Sequence, residues 1–222
     1  MGTDERIERA GLCYERAVFG GDPTGLPVAD RELDAVEADL ALARGRVAHA
    51  RFLADRSAED PREGALFERA AELYRSLGDA RGEGEALFWV GTFHQVVRGD
   101  HASALPALER SLELATSVDD KATMSYALRH LGIAAHIDGR LPVARERLEE
   151  SLRLRRELGF LPGVAANLVG LAYIAAGQGR RDDAWALIEE AGTIAKSAGA
   201  EGIVRMVEEA RSDLAGDVPP PL

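Results

Sequence analysis

The chain has 222 residues, of which 46% are hydrophobic and 29% charged, and its formal net charge is −11. This balance favours a folded protein over wholesale disorder. The negative charge repels a phosphate backbone and no basic stripe offsets it, so direct binding of nucleic acid is not expected. Cys13 is the single cysteine, which excludes an intrachain disulfide and a cysteine-rich metal site.

The chemistry of metals, cofactors and membranes is also not expected from this sequence. The five histidines are scattered without the spacing of a zinc-binding helix, and no glycine-rich phosphate loop or nucleophile elbow is present. Residues 1–6 lack the apolar segment of a secretory signal, and no apolar stretch reaches the ~18 residues of a transmembrane helix. The sequence therefore predicts a cytoplasmic protein without metal, cofactor or membrane contact.

The first third of the chain predicts three helices. Residues 1–30 are expected to form an N-terminal amphipathic helix followed by a glycine-rich loop. A long helix is predicted from about Arg31 to Ala54, because acidic residues at its start suit the positive end of a helix dipole. Residues 63–78 repeat the pattern of the second helices that follow later in the chain.

A glycine followed five residues later by an alanine recurs at a step of forty residues. The three occurrences are Gly99 with Ala104, Gly139 with Ala144, and Gly179 with Ala184. Apolar residues keep the same step, as in Leu108, Leu148 and Ile188. Self-similarity at such a period indicates stacked helical hairpins. The sequence therefore predicts about four helical repeats over residues 31–199, then a capping helix and frayed tail over residues 200–222.

Glycines also stand in the interior of the predicted first helices. Gly91, Gly132 and Gly170 are interpreted as equivalent, with Gly45 as their counterpart in the earlier repeat. An interior glycine costs a helix about 1 kcal/mol relative to alanine. The recurrence therefore predicts a close helix–helix crossing at this position.

The residues of the central hairpin resemble the tetratricopeptide repeat. They are Leu131, Gly132, Gly139, Ala144, Leu148 and Ser151. The resemblance is good over residues 84–198 and partial over residues 31–78. It implies an all-α fold, a right-handed superhelical solenoid of antiparallel helix pairs. The long period also resembles the repeat arrays of bacterial transcriptional regulators, although their ATPase and DNA-binding parts are missing from this chain.

In the family that the chain resembles, the first helix of each repeat lines a concave groove. Counting from the interior glycines, the resemblance implies a groove of mixed aromatic, aliphatic and hydrogen-bonding side chains. Its members would be Arg46, His49, Glu85, Phe88, Thr92, Gln95, Tyr126, Arg129, Ile133, His136, Val164, Asn167, Leu171 and Ile174. Such a mixture suits a peptide or a small amphipathic molecule better than a purely charged partner.

Three functions are compatible with this sequence. The first is a non-catalytic scaffold or adaptor that binds a protein or peptide, with a regulatory role implied by the resemblance. The second is a small-molecule sensor or unusual enzyme with its pocket inside the superhelix. Its acid–base groups would come from His49, Glu85, Tyr126, Arg129 or His136. The third is homodimer formation. Catalysis is the less favoured reading because no residue spacing demands it.

Overall fold

A computed structural model describes residues 4–56 and 58–216. Helices joined by short links make up this part of the chain, and no strand occurs among these residues. The predicted all-α, repeat-type fold is therefore confirmed. The chain divides into two compact units, Met1–Leu114 and Ala115–Leu222. The predicted frayed tail, residues 217–222, lies outside the described residues.

Unit 1 consists of four helices and the larger part of a fifth. They are α1 (Glu5–Gly20), α2 (Leu26–Ala54), α3 (Glu63–Leu77), α4 (Ala80–Thr92) and α5 (His101–Ser117). From α1 to α4, each helix packs against the next one in the chain. Phe67 is fully buried at the centre of this unit, among apolar side chains of α2, α3 and α4. The hydroxyl of Tyr74 donates to Asp39 at 2.8 Å and so connects α3 to α2.

Unit 2 contains the remaining five helices. They are α6 (Lys121–Ile137), α7 (Leu141–Glu157), α8 (Leu161–Gly177), α9 (Arg181–Ser197) and α10 (Glu201–Ala215). Each packs against the next, and α10 also contacts α8. Every residue from Gly163 to Ala175 is buried, so α8 is the central helix of this unit. A helix that is apolar on all sides is expected in such a position.

From Gly99 onward, residues with a left-handed backbone conformation (positive φ) separate the helices at regular intervals. They are Gly99, Asp119, Gly139, Gly159, Gly179 and Gly199, each twenty residues after the last. The backbone at these residues turns the chain so that amides bond back to the end of the preceding helix. Gly139 N, for example, donates to His136 O at 2.9 Å. The predicted forty-residue repeat is thus two helices of equal length, and Asp119 is the position without glycine.

Small residues bring the two helices of a hairpin close together, as predicted. A Cβ atom added to Gly91 would lie 2.6 Å from Leu108 Cγ, and one added to Gly132 would lie 3.1 Å from Leu148 Cγ. At Gly45 the added atom would lie 2.5 Å from the ring of Phe67. These three distances are shorter than an ordinary carbon–carbon contact, so these glycines permit the crossing.

Gly170 is an exception, and its predicted equivalence with Gly132 is wrong. A Cβ atom at Gly170 would meet Leu148 of α7 at 3.0 Å, and α7 precedes α8 in the chain. Ala172 stands forty residues after Gly132 and takes the equivalent place. The residues counted from Gly170 are therefore displaced by two positions along α8.

Two buried serines fix the same hairpins through their hydroxyl groups. Ser111 Oγ donates to the carbonyl oxygen of Gly84 at 2.7 Å. Ser151 Oγ donates to the carbonyl oxygen of Ser125 at 2.5 Å. Both serines are fully buried. The small residue predicted at this position therefore also bonds to the backbone of the first helix.

Helix α2 begins five residues before the predicted start at Arg31. Its first turn contains Pro27, whose missing amide hydrogen is not needed there. The amide of Ala29 already donates to Gly25 O at 3.1 Å. The acidic residues that suggested the later start consequently lie within the helix, and its first turn carries none.

A π-helical turn, Phe93–Val97, directly follows α4. Its wider hydrogen bond runs from Arg98 N to Phe93 O at 3.3 Å. The first residues of α4 and α5 are 21 positions apart, whereas those of α6 and α7 are 20 apart. The π-helical turn accommodates this one extra residue, which is the usual origin of such a turn.

Candidate functional site

Two of the predicted groove residues of unit 1 form a partly exposed surface over an indole ring. Arg46 and Glu85 form an ion pair, and both side chains are partly exposed. The Arg46 guanidinium carbon lies 5.5 Å from the centre of the Trp89 ring, which is a cation–π distance. This surface offers one cation, one anion and an aromatic face.

A buried acid–base pair lies beneath this surface. His49 Nδ1 and Glu63 Oε1 are 2.8 Å apart, and both residues are buried. Burial raises the pKa of Glu63, while the hydrogen bond to His49 acts in the opposite direction. The His49 ring meets Trp89 edge-on at 5.4 Å. His49 is therefore a packed residue whose carboxylate partner comes from α3.

The other three predicted groove residues of unit 1 are buried. Phe88, Thr92 and Gln95 are 4%, 3% and 6% exposed. Phe88 packs edge-on against Trp89 at 5.1 Å. These side chains therefore contribute to packing rather than to an open surface.

Unit 2 presents its predicted residues along one face of α6, which we call the α6 face. Tyr126, Arg129, Ile133 and His136 are all partly exposed. Their spacing of three and four residues places them in one row on the helix. Burial lowers the pKa of the His136 imidazole. The α6 face combines two apolar side chains with two hydrogen-bonding ones.

Two arginines meet at one buried amide behind the α6 face. Arg129 Nη1 donates to Asn167 Oδ1 at 3.1 Å and to the carbonyl oxygen of Ala166 at 2.8 Å. Arg155 Nη1 donates to the same Asn167 oxygen at 3.0 Å and to Gly163 O at 2.9 Å. Asn167 is fully buried, so it holds both guanidinium groups in place.

Asn167 is itself held by the second helix of the preceding hairpin. Its Nδ2 atom donates to Ser151 Oγ at 2.7 Å. Ser151 in turn donates to the backbone of α6. This chain of hydrogen bonds links α6, α7 and α8, and it orients the carbonyl oxygen of Asn167 toward the two arginines.

Burial and like charge act on both guanidinium groups. Burial lowers the pKa of Arg155 to about 9, and the neighbouring charge of Arg129 adds to that effect. Burial alone lowers the pKa of Arg129 to about 10. Both values stay above neutral pH, so both groups remain cationic. The rings of Tyr126 and Phe160 lie 4.9 Å and 5.7 Å from the Arg155 guanidinium carbon.

The predicted residues of α8 do not extend the α6 face. Val164, Asn167 and Ile174 are at most 1% exposed. Leu171 lines a cleft of about 340 Å³ whose other lining residues come from α7, from α9 and from Arg180 directly before α9. These residues are buried for two reasons. They were counted from Gly170 instead of the equivalent Ala172, which displaces them by two positions, and α8 is the central helix of unit 2.

Arg155, Glu63 and Trp89 carry much of this polar chemistry but were not among the predicted site residues. Arg155 has a signal in the sequence. The residues forty positions before and after it, Ala115 and Ala195, are alanines that are almost fully buried. An arginine at a position that otherwise holds a buried alanine indicates a local change of chemistry. Glu63 has no comparable signal, because its partner lies on a different helix.

Within the part of the chain that the structure describes, no helix is both long enough and apolar enough to span a membrane. The same residues contain no cluster of three or more histidine, cysteine or acidic side chains placed to hold a metal ion.

The hairpins and their close glycine contacts define an all-α helical-repeat protein. The family model described as tetratricopeptide repeat matches residues 84–157. This match, together with the helix pairs packed within each unit of the described residues, supports a tetratricopeptide-repeat protein. No curated protein matches the chain. The likeness to bacterial regulators, the regulatory role, the cytoplasmic location, the small-molecule alternative and the homodimer stay predictions.

Proposed function

We propose that the protein is a non-catalytic adaptor that binds a peptide or protein segment through the exposed faces of its first helices. Tetratricopeptide repeats generally mediate interactions between proteins. The observation that carries the proposal is the α6 face, where four partly exposed side chains of mixed chemistry share one row. A binding surface needs such exposure, because a fully packed helix face offers nothing to a partner.

The chemistry of the α6 face suits a peptide. Tyr126 and Ile133 provide apolar contact area, while Arg129 and His136 provide hydrogen-bond donors. Tyrosine and arginine are the residue types that dominate the binding energy of many protein interfaces. The buried Asn167 supports Arg129 from behind, so this side chain is held in position before a partner arrives.

The surface of unit 1 offers a second contact area with a different character. Arg46 and Glu85 already neutralise one another, and the indole of Trp89 lies below Arg46. An exposed ion pair of this kind contributes little binding energy, about 1 kcal/mol or less. We therefore assign the larger share of the binding energy to the α6 face.

A peptide-display experiment tests this proposal. A library of random peptides is selected on the wild-type protein, and all enriched clones are kept whether or not they bind a Tyr126→Ala/Ile133→Ala variant. Selected peptides are then measured by isothermal titration calorimetry. We expect each single alanine substitution to weaken binding about tenfold, as the loss of a central interface side chain does.

Arg153→Ala is the matched control, because Arg153 is an exposed arginine of unit 2 that pairs with Glu150 away from this face. Its affinity for the selected peptides should equal that of the wild type. Peptides that bind the Tyr126 and Ile133 variants as tightly as the wild type would contradict the proposed binding face.

A further inference from the structure

The arginines of unit 2 differ in whether an acidic group balances them. Three exposed arginines of α7 are paired: Arg145 with Glu149 at 2.6 Å, Arg153 with Glu150 at 2.6 Å, and Arg156 with Glu190 at 2.9 Å. Within residues 4–56 and 58–216, Arg129 and Arg155 have no such ion pair. Their acceptors are the amide oxygen of Asn167 and backbone carbonyls, which are neutral.

Two cations without a counter-ion are costly in this position. Arg155 is only 2% exposed, and its Nε atom has no acceptor among the described residues. A buried charge is normally balanced by an opposite charge because desolvation is otherwise uncompensated. The cluster therefore lacks an acceptor that carries negative charge.

The geometry brings both guanidinium groups toward a common point. Each donates through Nη1 to the same oxygen atom of Asn167, at 3.1 Å and 3.0 Å. Their other acceptors, Gly163 and Ala166, lie in the first turns of α8, where the helix dipole adds positive potential. Arg129 is partly exposed, which leaves an approach from solvent.

We infer that the cluster of Arg129 and Arg155 binds an oxyanion, a carboxylate or phosphate group of the partner that occupies the α6 face. This inference rests on the proposed function for the identity of the partner. Guanidinium groups are suited to both oxyanions, because their planar donors match a pair of oxygen atoms. The rings of Tyr126 and Phe160 stack on Arg155 and keep its donors in place.

The test uses the full chain and two simple probes, inorganic phosphate and acetate. Each is titrated against sodium chloride at equal ionic strength, and the arginine Nε–H signals are followed by ¹H–¹⁵N spectroscopy. We expect saturable shifts of the Arg129 and Arg155 signals. The affinity should fall about tenfold in Arg129→Gln, because a charge-assisted hydrogen bond is lost.

Arg155→Gln is a second variant with the same expected loss, and Arg153→Gln is the matched control with wild-type affinity. Arg129 is partly exposed, so Arg129→Gln keeps the test valid even when Arg155→Gln fails to fold. Tighter binding of phosphate or of acetate identifies which oxyanion the site prefers. Shifts no larger than those in sodium chloride, or full affinity in Arg129→Gln, would overturn the inference.

The outcomes also separate this inference from the proposed function. Displayed peptides that require Tyr126 but bind Arg129→Gln with wild-type affinity would leave the adaptor function standing and overturn the oxyanion site. Specific anion binding in a protein that enriches no peptide would support the oxyanion site and contradict the adaptor function.

Discussion

Units 1 and 2 build the same type of hairpin but treat buried charge in different ways. In unit 1 the buried carboxylate of Glu63 faces His49 at 2.8 Å, so an acid meets a base inside the protein. In unit 2, within the described part of the chain, the acceptors of the Arg129 and Arg155 guanidinium groups are all neutral. The repeat therefore determines where helices cross. Individual residues determine whether a buried ionisable side chain has a partner of opposite charge.

The largest expected effect is the contrast between removing one member of the unit 1 pair and removing one member of the unit 2 cluster. His49→Leu should destabilise the protein by about 3 kcal/mol, because it leaves the carboxylate of Glu63 buried without its partner. Arg155→Met should change the free energy of unfolding by less than about 1 kcal/mol, since it also removes an uncompensated buried charge. Urea unfolding measures both.

The double variant His49→Leu/Glu63→Leu is the control for this comparison. Removing both partners should recover most of the stability lost in His49→Leu. A loss in Arg155→Met as large as that in His49→Leu would show that the two clusters are equally well balanced.

A second test compares the equivalent glycines of the two units. Gly91→Ala should cost about 2 kcal/mol, because its Cβ would lie 2.6 Å from Leu108 Cγ and 3.2 Å from the oxygen of Ala104. Gly132→Ala should cost about 1 kcal/mol or less, because its closest neighbour lies at 3.1 Å and alanine favours the helix. Thermal and urea unfolding give the ranking.

Gly11→Ala in α1 provides the baseline for helix propensity. No heavy atom lies within 4 Å of a Cβ at this position, so we expect about 1 kcal/mol of stabilisation. Equal costs at Gly91 and Gly132 would mean that Leu108 moves aside more easily than the packing suggests.

A smaller effect is expected at the links between helices. Asp119 has φ of 50°, where its five counterparts are glycines. Asp119→Gly should stabilise the protein by up to about 1 kcal/mol, because the left-handed backbone is strained for a residue with a Cβ. Gly139→Ala should have the opposite effect, about 1 kcal/mol of destabilisation. An unchanged melting temperature in both variants would contradict this account.

The smallest expected effect is a pH dependence of unit 2. Burial lowers the pKa of His136 below its ordinary value of 6.5. As the pH falls, the His136 imidazole therefore binds a proton in the unfolded chain before it does so in the folded protein. The free energy of unfolding should fall as the pH drops through 6.5 toward the lower pKa of His136 in the folded protein. His136→Gln should remove that part of the loss. Urea unfolding of both proteins between about pH 8 and about pH 5 measures the difference.

The regular part of the fold is predictable from the sequence because its signals are local. A glycine such as Gly139 ends one helix, and Pro142 begins the next within a few residues. The buried positions of Ala144 and Leu148 follow from helical periodicity. These features need no knowledge of which helices pack together.

The errors occur where a neighbouring helix decides the outcome. Gly170 looks like Gly132 in the sequence, but its close contact is with α7, before it in the chain. The π-helical turn at Phe93–Val97 likewise has no local signature that distinguishes it from regular helix. Both depend on the register between packed helices, which a period alone does not fix.

The candidate site is only partly predictable for the same reason. Tyr126 and Arg129 follow from the spacing on α6, and the structure places both on one partly exposed row. Arg155 meets Asn167 across two helices. The only sign of this in the sequence is that Arg155 stands where the neighbouring repeats have an alanine. That sign does not reveal which acceptors the guanidinium group contacts.

The π-helical turn after α4 shows how this chain tolerates changes in length. One residue inserted into a regular α-helix rotates every later side chain by about 100° about the axis. Here the added residue is contained within Phe93–Val97, and Leu108 still meets Gly91 in the same way that Leu148 meets Gly132. A π-helical turn at a helix end therefore absorbs a single-residue insertion, and the packing register of the helix that follows is kept.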